Sequence, residues 1–144
     1  MASRSKPNDV NKVFVDTAAW IALLNTSDEL HSRAVQIMAM LRQQKAKLVT
    51  TEFVFLEVAD ALSTPNVRSK TVTFIDGLRQ LPILQIIPIS QNLFIDGWML
   101  YNQRLDKEWG LTDCISFVVM TQEKITVAFT SDRHFEQAGF VKLL

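Results

Sequence analysis

The 144-residue sequence is poor in the residues that build several common kinds of protein site. It has one cysteine, Cys114, so an internal disulfide framework is excluded, and no Cys/His spacing offers a zinc site. Its four glycines are isolated from one another, which excludes a glycine-rich loop that cradles nucleotide phosphates. Low cysteine usage is typical of a reducing compartment, so we expect a cytoplasmic protein.

The sequence also lacks net charge and long hydrophobic runs. Fifteen basic residues balance fifteen acidic ones, so a polyanionic partner would have to meet a local patch rather than an overall field. No apolar stretch approaches the roughly 18 to 20 residues of a membrane span. The polar residues 1–11 lack the apolar core of a signal peptide and are predicted to form a flexible lead. Residues 12–144 have the size and composition of one globular domain.

What the sequence does contain is a regular alternation of strand-like and helix-like segments. The helix-like segments carry apolar residues at helical spacing, and a helix start is predicted at Ser27, which is followed by two acidic residues. Strands are predicted within residues 12–16, 47–51, 81–89, 126–131 and 141–144. This alternation predicts an α/β sandwich with a mostly parallel sheet, in which ligands bind outside the carboxyl ends of the strands.

Four acidic residues are predicted to meet at that edge of the sheet. Asp16 ends the first strand, and Asp132 follows the fourth. Asp113 lies in the first turn of a helix, and Glu57 lies on the helix that leaves the second strand. Like charges packed together raise one another's pKa, so such a cluster indicates a bound cation. Carboxylate oxygens are ligands that suit Mg²⁺ or Mn²⁺.

Each acid, taken alone, also fits an ordinary structural role. Asp16 and Asp132 fit helix N-caps, and Asp113 fits a residue that favours the helix dipole. Glu57 fits an exposed helical residue, although its apolar neighbours argue that its carboxylate needs a partner. Asp60, one turn beyond Glu57, either joins the site or is simply solvated.

Four segments in order resemble the PIN-domain family, especially the ribonuclease toxins of bacterial toxin–antitoxin pairs called VapC. They read FVDT at 14–17, VTTEFVFLE at 49–57, LTDCISF at 111–117 and FTSDRHFEQAGF at 129–140. The likeness runs from about Lys12 to the C-terminus. It implies a three-layer α/β/α sandwich around a parallel sheet, in agreement with the element order. The acidic quartet of the family carries over to Asp16, Glu57, Asp113 and Asp132.

The resemblance implies a metal-dependent endoribonuclease that hydrolyses single-stranded RNA. Water activated by Mg²⁺ or Mn²⁺ would be the nucleophile, since no Ser/His or Cys/His pair stands out. Asp16 and Asp132 would be direct ligands, and Glu57 and Asp113 would complete the coordination through oxygen or water. Three hydroxyl groups flank acids and are candidates to bind a carboxylate or a substrate phosphate, with helix capping as the alternative: Thr17, Thr112 and Ser131. Arg133 would bind either RNA phosphate or a nearby acid.

The resemblance also implies partners. A surplus of large apolar residues favours a homodimer and an interface for a small antitoxin protein; the candidates are Trp20, Phe53, Phe55, Trp98 and Trp109. Independently of the resemblance, the candidates for a local basic rim that would meet RNA are Arg42, Lys45, Lys47, Arg68 and Lys70, although the sequence does not show that they share one face. The alternative function is a PIN-like module that binds nucleic acid without cleaving it. The complete acidic quartet argues against that alternative.

Overall fold

The computed structural model describes residues 11–144, so the predicted lead lies, except for its last residue, outside the described part. Five strands form one sheet in the order β3-β2-β1-β4-β5, and every neighbouring pair is parallel. The expected α/β fold around a parallel sheet is confirmed. The strands are β1 (Lys12–Val15), β2 (Lys47–Thr51), β3 (Leu84–Ile87), β4 (Val127–Phe129) and β5 (Val141–Lys142).

Helices connect consecutive strands, as parallel pairing requires. In chain order they are α1 (Thr17–Leu24), α2 (His31–Gln43), α3 (Glu52–Ala61), α4 (Pro65–Leu78), α5 (Gln91–Gln103), α6 (Leu111–Gln122) and α7 (Arg133–Gln137). Helix α1 packs against α2, α3 and α4, whereas α6 packs mainly against α5 and also contacts α7. Within residues 11–144, no helix is both long and apolar enough to cross a membrane.

The middle of the sheet is completely buried. Val13, Phe14 and Val15 of β1 have no exposed surface, and neither do Ala128 and Phe129 of β4. Strands covered on both faces read as continuous apolar runs, which is why KVFV stands out in the sequence. A polar residue that follows such a run therefore emerges from the core at the sheet edge. This arrangement places Asp16 and Asp132 at one edge.

Two expectations are corrected in detail. Helix α2 begins at His31 rather than at Ser27, because the Asp28 side chain accepts a hydrogen bond from the Leu30 amide (2.8 Å) and holds a turn before the helix. The exposed apolar surface is also located differently from the expectation. Trp98 is 51% exposed, but the other four candidate aromatics are buried: Trp20, Phe53, Phe55 and Trp109.

A close contact between α5 and α6 helps to fix the helix that carries Asp113. Gly97 of α5 lies directly against Ile115 of α6, and a Cβ atom at position 97 would collide with the Ile115 side chain and press on its backbone. The absence of a side chain therefore lets the two helices approach closely. Because Ile115 is two residues beyond Asp113, this packing also restrains the first turn of α6 at the acidic edge.

Candidate metal centre

Asp16 lies directly after β1 and is only 4% exposed. Its backbone amide donates to the Phe129 carbonyl of β4 (3.1 Å), which continues the sheet pairing by one residue. Although Asp16 is the N-cap residue of α1, its side chain makes no capping hydrogen bond. Burial raises the pKa of this carboxyl to about 7, against weaker opposing hydrogen bonds from Thr17 and Thr130. The fold thus buries an acid that does not cap its helix.

Thr130 connects the two acids that follow strands. Its hydroxyl donates to Asp16 Oδ2 at 2.9 Å and accepts from the Asp132 amide at 3.1 Å. Thr130 is itself fully buried, so the hydroxyl has a fixed position between them. The loop after β4 is therefore held to the end of β1 by a side chain as well as by the sheet.

Glu57 reaches the same edge from α3. It is the most exposed of the four acids, and its Oε1 accepts a 2.8 Å hydrogen bond from Thr17, the first residue of α1. The sequence indicates that this carboxylate needs a partner, and the partner is the hydroxyl group of Thr17, the residue after Asp16. Desolvation raises the pKa of Glu57, with smaller contributions from the charges of Asp113 and Asp132.

Asp113 and Asp132 meet at a histidine. Asp113 Oδ2 accepts from the Gly110 amide (3.1 Å) and lies 3.1 Å from His134 Nδ1. Asp132 Oδ1 accepts from the His134 amide (2.9 Å) and lies 3.4 Å from the same imidazole nitrogen. Both acids thus make the helix-terminal contacts that their ordinary structural roles require, unlike Asp16. Desolvation also raises the pKa of Asp113.

The four carboxyl groups form one electrostatic cluster. The charges of Glu57 and Asp113 raise the pKa of Asp16, and the charge of Asp132 raises the pKa of both Glu57 and Asp113. Side chains from α3, α6 and the loops after β1 and β4 therefore lie close enough to repel one another. Desolvation is the largest cause of the raised pKa at each of the three shifted acids, and repulsion between the charges adds to it. A bound cation would offset the cost of desolvation and the cost of repulsion at once.

The other predicted residues are distributed unevenly around this cluster. Thr17 contacts Glu57, whereas Thr112 and Ser131 make no side-chain hydrogen bond within residues 11–144. Arg133 is exposed and forms no ion pair with any described residue. Asp60 is exposed. His31, the other histidine of the chain, is not a candidate, and its Nδ1 lies 2.7 Å from the Ala22 carbonyl, a contact between α2 and α1 away from the acids.

The expected basic rim does not follow the acidic edge. Lys47 begins β2 and pairs with Lys12 at the start of β1, whereas Thr51 and Val15 end these strands near the acids. Arg42 lies in the last turn of α2, and Lys45 lies in the loop that leads into β2. These three basic residues therefore lie towards the opposite edge of the sheet and form no basic rim beside the acids.

Two residues at the cluster were missed from the sequence, Thr130 and His134. For each of the two, its position in the sequence relative to Asp132 could have indicated a place at the cluster. Thr130 lies two positions before Asp132, and side chains two apart in an extended segment point to the same side. His134 lies in the first turn of α7, two residues beyond Asp132, the N-cap of this helix.

The chemistry of the side chains fits a divalent cation. One potential ligand atom from each of Asp113, Asp132 and His134 lies within 4.8 Å of the other two. Asp16 and Glu57 add carboxylate oxygens that are electrostatically coupled to this group. By contrast, a cavity of about 540 Å³ between β3, α5 and α6 is lined by none of the four acids. The candidate site is thus an acidic edge rather than an enclosed pocket.

Comparisons with known proteins agree with this architecture. The model of the PIN domain family matches residues 13–141. The 23S rRNA-specific endonuclease VapC20 of Mycobacterium tuberculosis is 26% identical over 131 residues, which cover 91% of this chain and 97% of that protein. The crystal structure of that VapC20, described as a Sarcin-Ricin loop cleaving toxin, superimposes with a TM-score of 0.78 over 90% of this chain and 96% of its own.

More distant structures share the fold. VapBC2 from Rickettsia felis, bound to a DNA fragment from its promoter, matches at a TM-score of 0.64 and 13% identity over 91% of this chain and 96% of the matched chain. FitAcB from Neisseria gonorrhoeae matches at a TM-score of 0.63 and 16% identity, over 90% of this chain and 95% of the matched chain. The family model covers nearly all of the sequence. The chain belongs to the PIN domain family.

Proposed function

We propose that this protein is a divalent-metal-dependent endoribonuclease and the toxin of a toxin–antitoxin pair. The observation that carries the proposal is the buried carboxyl of Asp16, which has a pKa near 7, caps no helix and lies among three further acids. A site of this kind costs stability unless it binds a cation. The likeness to VapC20, whose name gives 23S rRNA as its target, supports RNA as the substrate.

In this proposal the four acids have distinct positions around the ion. Asp113 and Asp132 would hold it from α6 and from the start of α7, and Asp16 would hold it from the end of β1. Glu57, which Thr17 orients through a 2.8 Å hydrogen bond, would orient the attacking water. The ion, Mg²⁺ or Mn²⁺, would neutralise the phosphate and lower the pKa of water. Thr130 holds Asp16 in place.

The substrate backbone would approach from solvent, because the acids lie at an open edge. Arg133 is exposed beside Asp132 without a protein carboxylate as partner in the described chain, which leaves its guanidinium free to contact an RNA phosphate. Thr112 and Ser131 flank two of the acids and have hydroxyl groups without partners among residues 11–144. We assign these two hydroxyl groups, like the guanidinium of Arg133, to contacts with an RNA phosphate. Residues 12–144 would act as a single nuclease domain in the cytoplasm.

Cleavage of RNA by the purified protein is expected with Mn²⁺ or Mg²⁺ and is expected to stop in EDTA. The reason is that the proposed nucleophile is a water activated by the ion, which the carboxylates and the imidazole at this edge would hold. Gel analysis of a labelled single-stranded RNA and of ribosomal RNA measures the products. Undiminished cleavage in chelator would contradict the metal mechanism. RNA binding without cleavage in either metal would favour a non-catalytic module.

A homodimer and an antitoxin are the proposed protein partners. Helix α5 presents a largely apolar exposed surface, and Trp98 stacks on Tyr101 with ring centroids 5.5 Å apart; the exposed residues are Phe94, Ile95, Trp98, Met99 and Tyr101. Contiguous apolar surface of this kind marks protein interfaces. Sedimentation at high micromolar concentration is expected to give a dimer, and Trp98→Ser is expected to shift it towards monomer. A wild-type protein that sediments only as a 16.4 kDa monomer would contradict self-association.

A further inference from the structure

Two carboxylates of the site lie close to the same side-chain nitrogen of His134. Its Nδ1 lies 3.1 Å from Asp113 Oδ2 and 3.4 Å from Asp132 Oδ1, so one imidazole nitrogen is shared by acids from two different segments. The three side chains are partly shielded from solvent, with exposures of 20%, 14% and 29% for His134, Asp113 and Asp132. The nitrogen thus lies where the proposed ion would be held.

Core packing fixes this arrangement. Phe135, the next residue after His134, is fully buried and contacts Phe117 of α6 edge-to-face, with ring centroids 4.9 Å apart. Phe117 lies one turn beyond Asp113 on the same helix. The His134 amide also donates to Asp132, so the histidine is tied at its backbone to one acid and through its neighbour to the helix of the other. Its position is therefore not that of a free surface side chain.

The spacing of the three groups suits coordination as well as hydrogen bonding. An octahedral ion with bonds of about 2.1 Å places adjacent ligand atoms roughly 3 Å apart, close to the two distances from Nδ1. A single Nδ1 proton cannot serve both carboxylates equally, whereas one cation can bind all three atoms. Imidazole is a good ligand for transition-metal ions, while Mg²⁺ prefers oxygen ligands and keeps several waters.

We propose that His134 Nδ1 is a direct ligand of the divalent ion held by Asp113 and Asp132, and that this nitrogen makes the site prefer Mn²⁺ to Mg²⁺. The inference rests on the metal site of the proposed function and adds a ligand that is not one of the four acids. Loss of the imidazole should then weaken Mn²⁺ binding much more than Mg²⁺ binding.

Pulsed EPR of the full-length protein loaded with Mn²⁺ alone tests the ligand directly. A ¹⁴N coupling typical of a directly bound imidazole is expected, and labelling with ¹⁵N-histidine should convert it to the ¹⁵N pattern. The chain has only two histidines, which makes His31→Gln the matched control. This variant should keep the signal, because His31 contacts the Ala22 carbonyl, and His134→Gln should lose it. Wild-type protein that binds Mn²⁺ without nitrogen coupling would overturn the proposal.

Titration calorimetry tests the selectivity. His134→Gln is expected to lower Mn²⁺ affinity roughly 10- to 100-fold and to leave Mg²⁺ affinity nearly unchanged, since water can replace nitrogen around Mg²⁺. Equal losses for both ions would contradict the preference for Mn²⁺. An RNA cleavage assay run in parallel separates the two proposals. Nitrogen coordination without cleavage would contradict only the nuclease function, and Mn²⁺-dependent cleavage without nitrogen coordination would contradict only the role of His134.

Discussion

Asp16→Asn is expected to lower the rate of RNA cleavage by roughly a thousand-fold or more. Asparagine has the shape of aspartate and keeps an oxygen to accept the hydrogen bond from Thr130, so the local fold should persist. What it lacks is the negative charge that the proposed cation requires. The measurement is the single-turnover cleavage rate of a labelled RNA at saturating Mn²⁺, with circular dichroism to confirm folding.

Asp96→Asn is the matched control, because Asp96 is a half-buried acid on α5 that lies outside the cluster. It should cleave at the wild-type rate. A fully active Asp16→Asn protein would remove this residue from the site. It would also leave unexplained why the fold buries a carboxylate at the N-terminus of α1 without using it as a cap.

The parallel sheet explains how much of the site could be predicted. Once strands alternate with helices in a parallel sheet, every strand ends at the same edge, which puts Asp16 and Asp132 there. The strand order, in which β1 lies beside β4, then brings the two acids together. Asp113 and Glu57 are less constrained, since their helices could have rotated. Gly97 and the Thr17 hydroxyl are the contacts that restrain Asp113 and Glu57 in the structure.

What the sequence could not predict depends on contacts between distant side chains. The bond between His134 and Asp113 joins residues 21 positions apart, and it requires that Phe135 packs on Phe117 so that α7 approaches α6. No periodicity within either helix encodes that approach. The position of Lys47 is a different case. Lys47 is the first residue of the predicted strand 47–51, and ligands bind at the carboxyl ends of parallel strands, so its place at the opposite edge followed from the sequence.

The raised pKa of Asp16 predicts how the stability of the metal-free protein depends on pH. The pKa of this carboxyl is about 7 in the folded protein and 3.8 for the ordinary group, so the folded state binds more protons between these values. The contribution of Asp16 to the free energy of unfolding must therefore fall as the pH rises through this window, and level off above it. Bound metal should offset the loss, because it stabilises the ionised cluster.

Comparing wild type with Asp16→Asn isolates this contribution. In EDTA, the variant should be the more stable protein at about pH 8.5, by on the order of 2 to 4 kcal/mol, because the buried charge is gone. The difference should shrink by roughly 3 kcal/mol at about pH 5, where the wild-type carboxyl is protonated. Urea unfolding at several pH values measures it, with Asp60→Asn as an exposed control that shows no such trend. Adding Mn²⁺ at the higher pH should stabilise wild type more than it stabilises Asp16→Asn. A variant less stable than wild type at every pH would mean that Asp16 contributes to the fold rather than to metal binding.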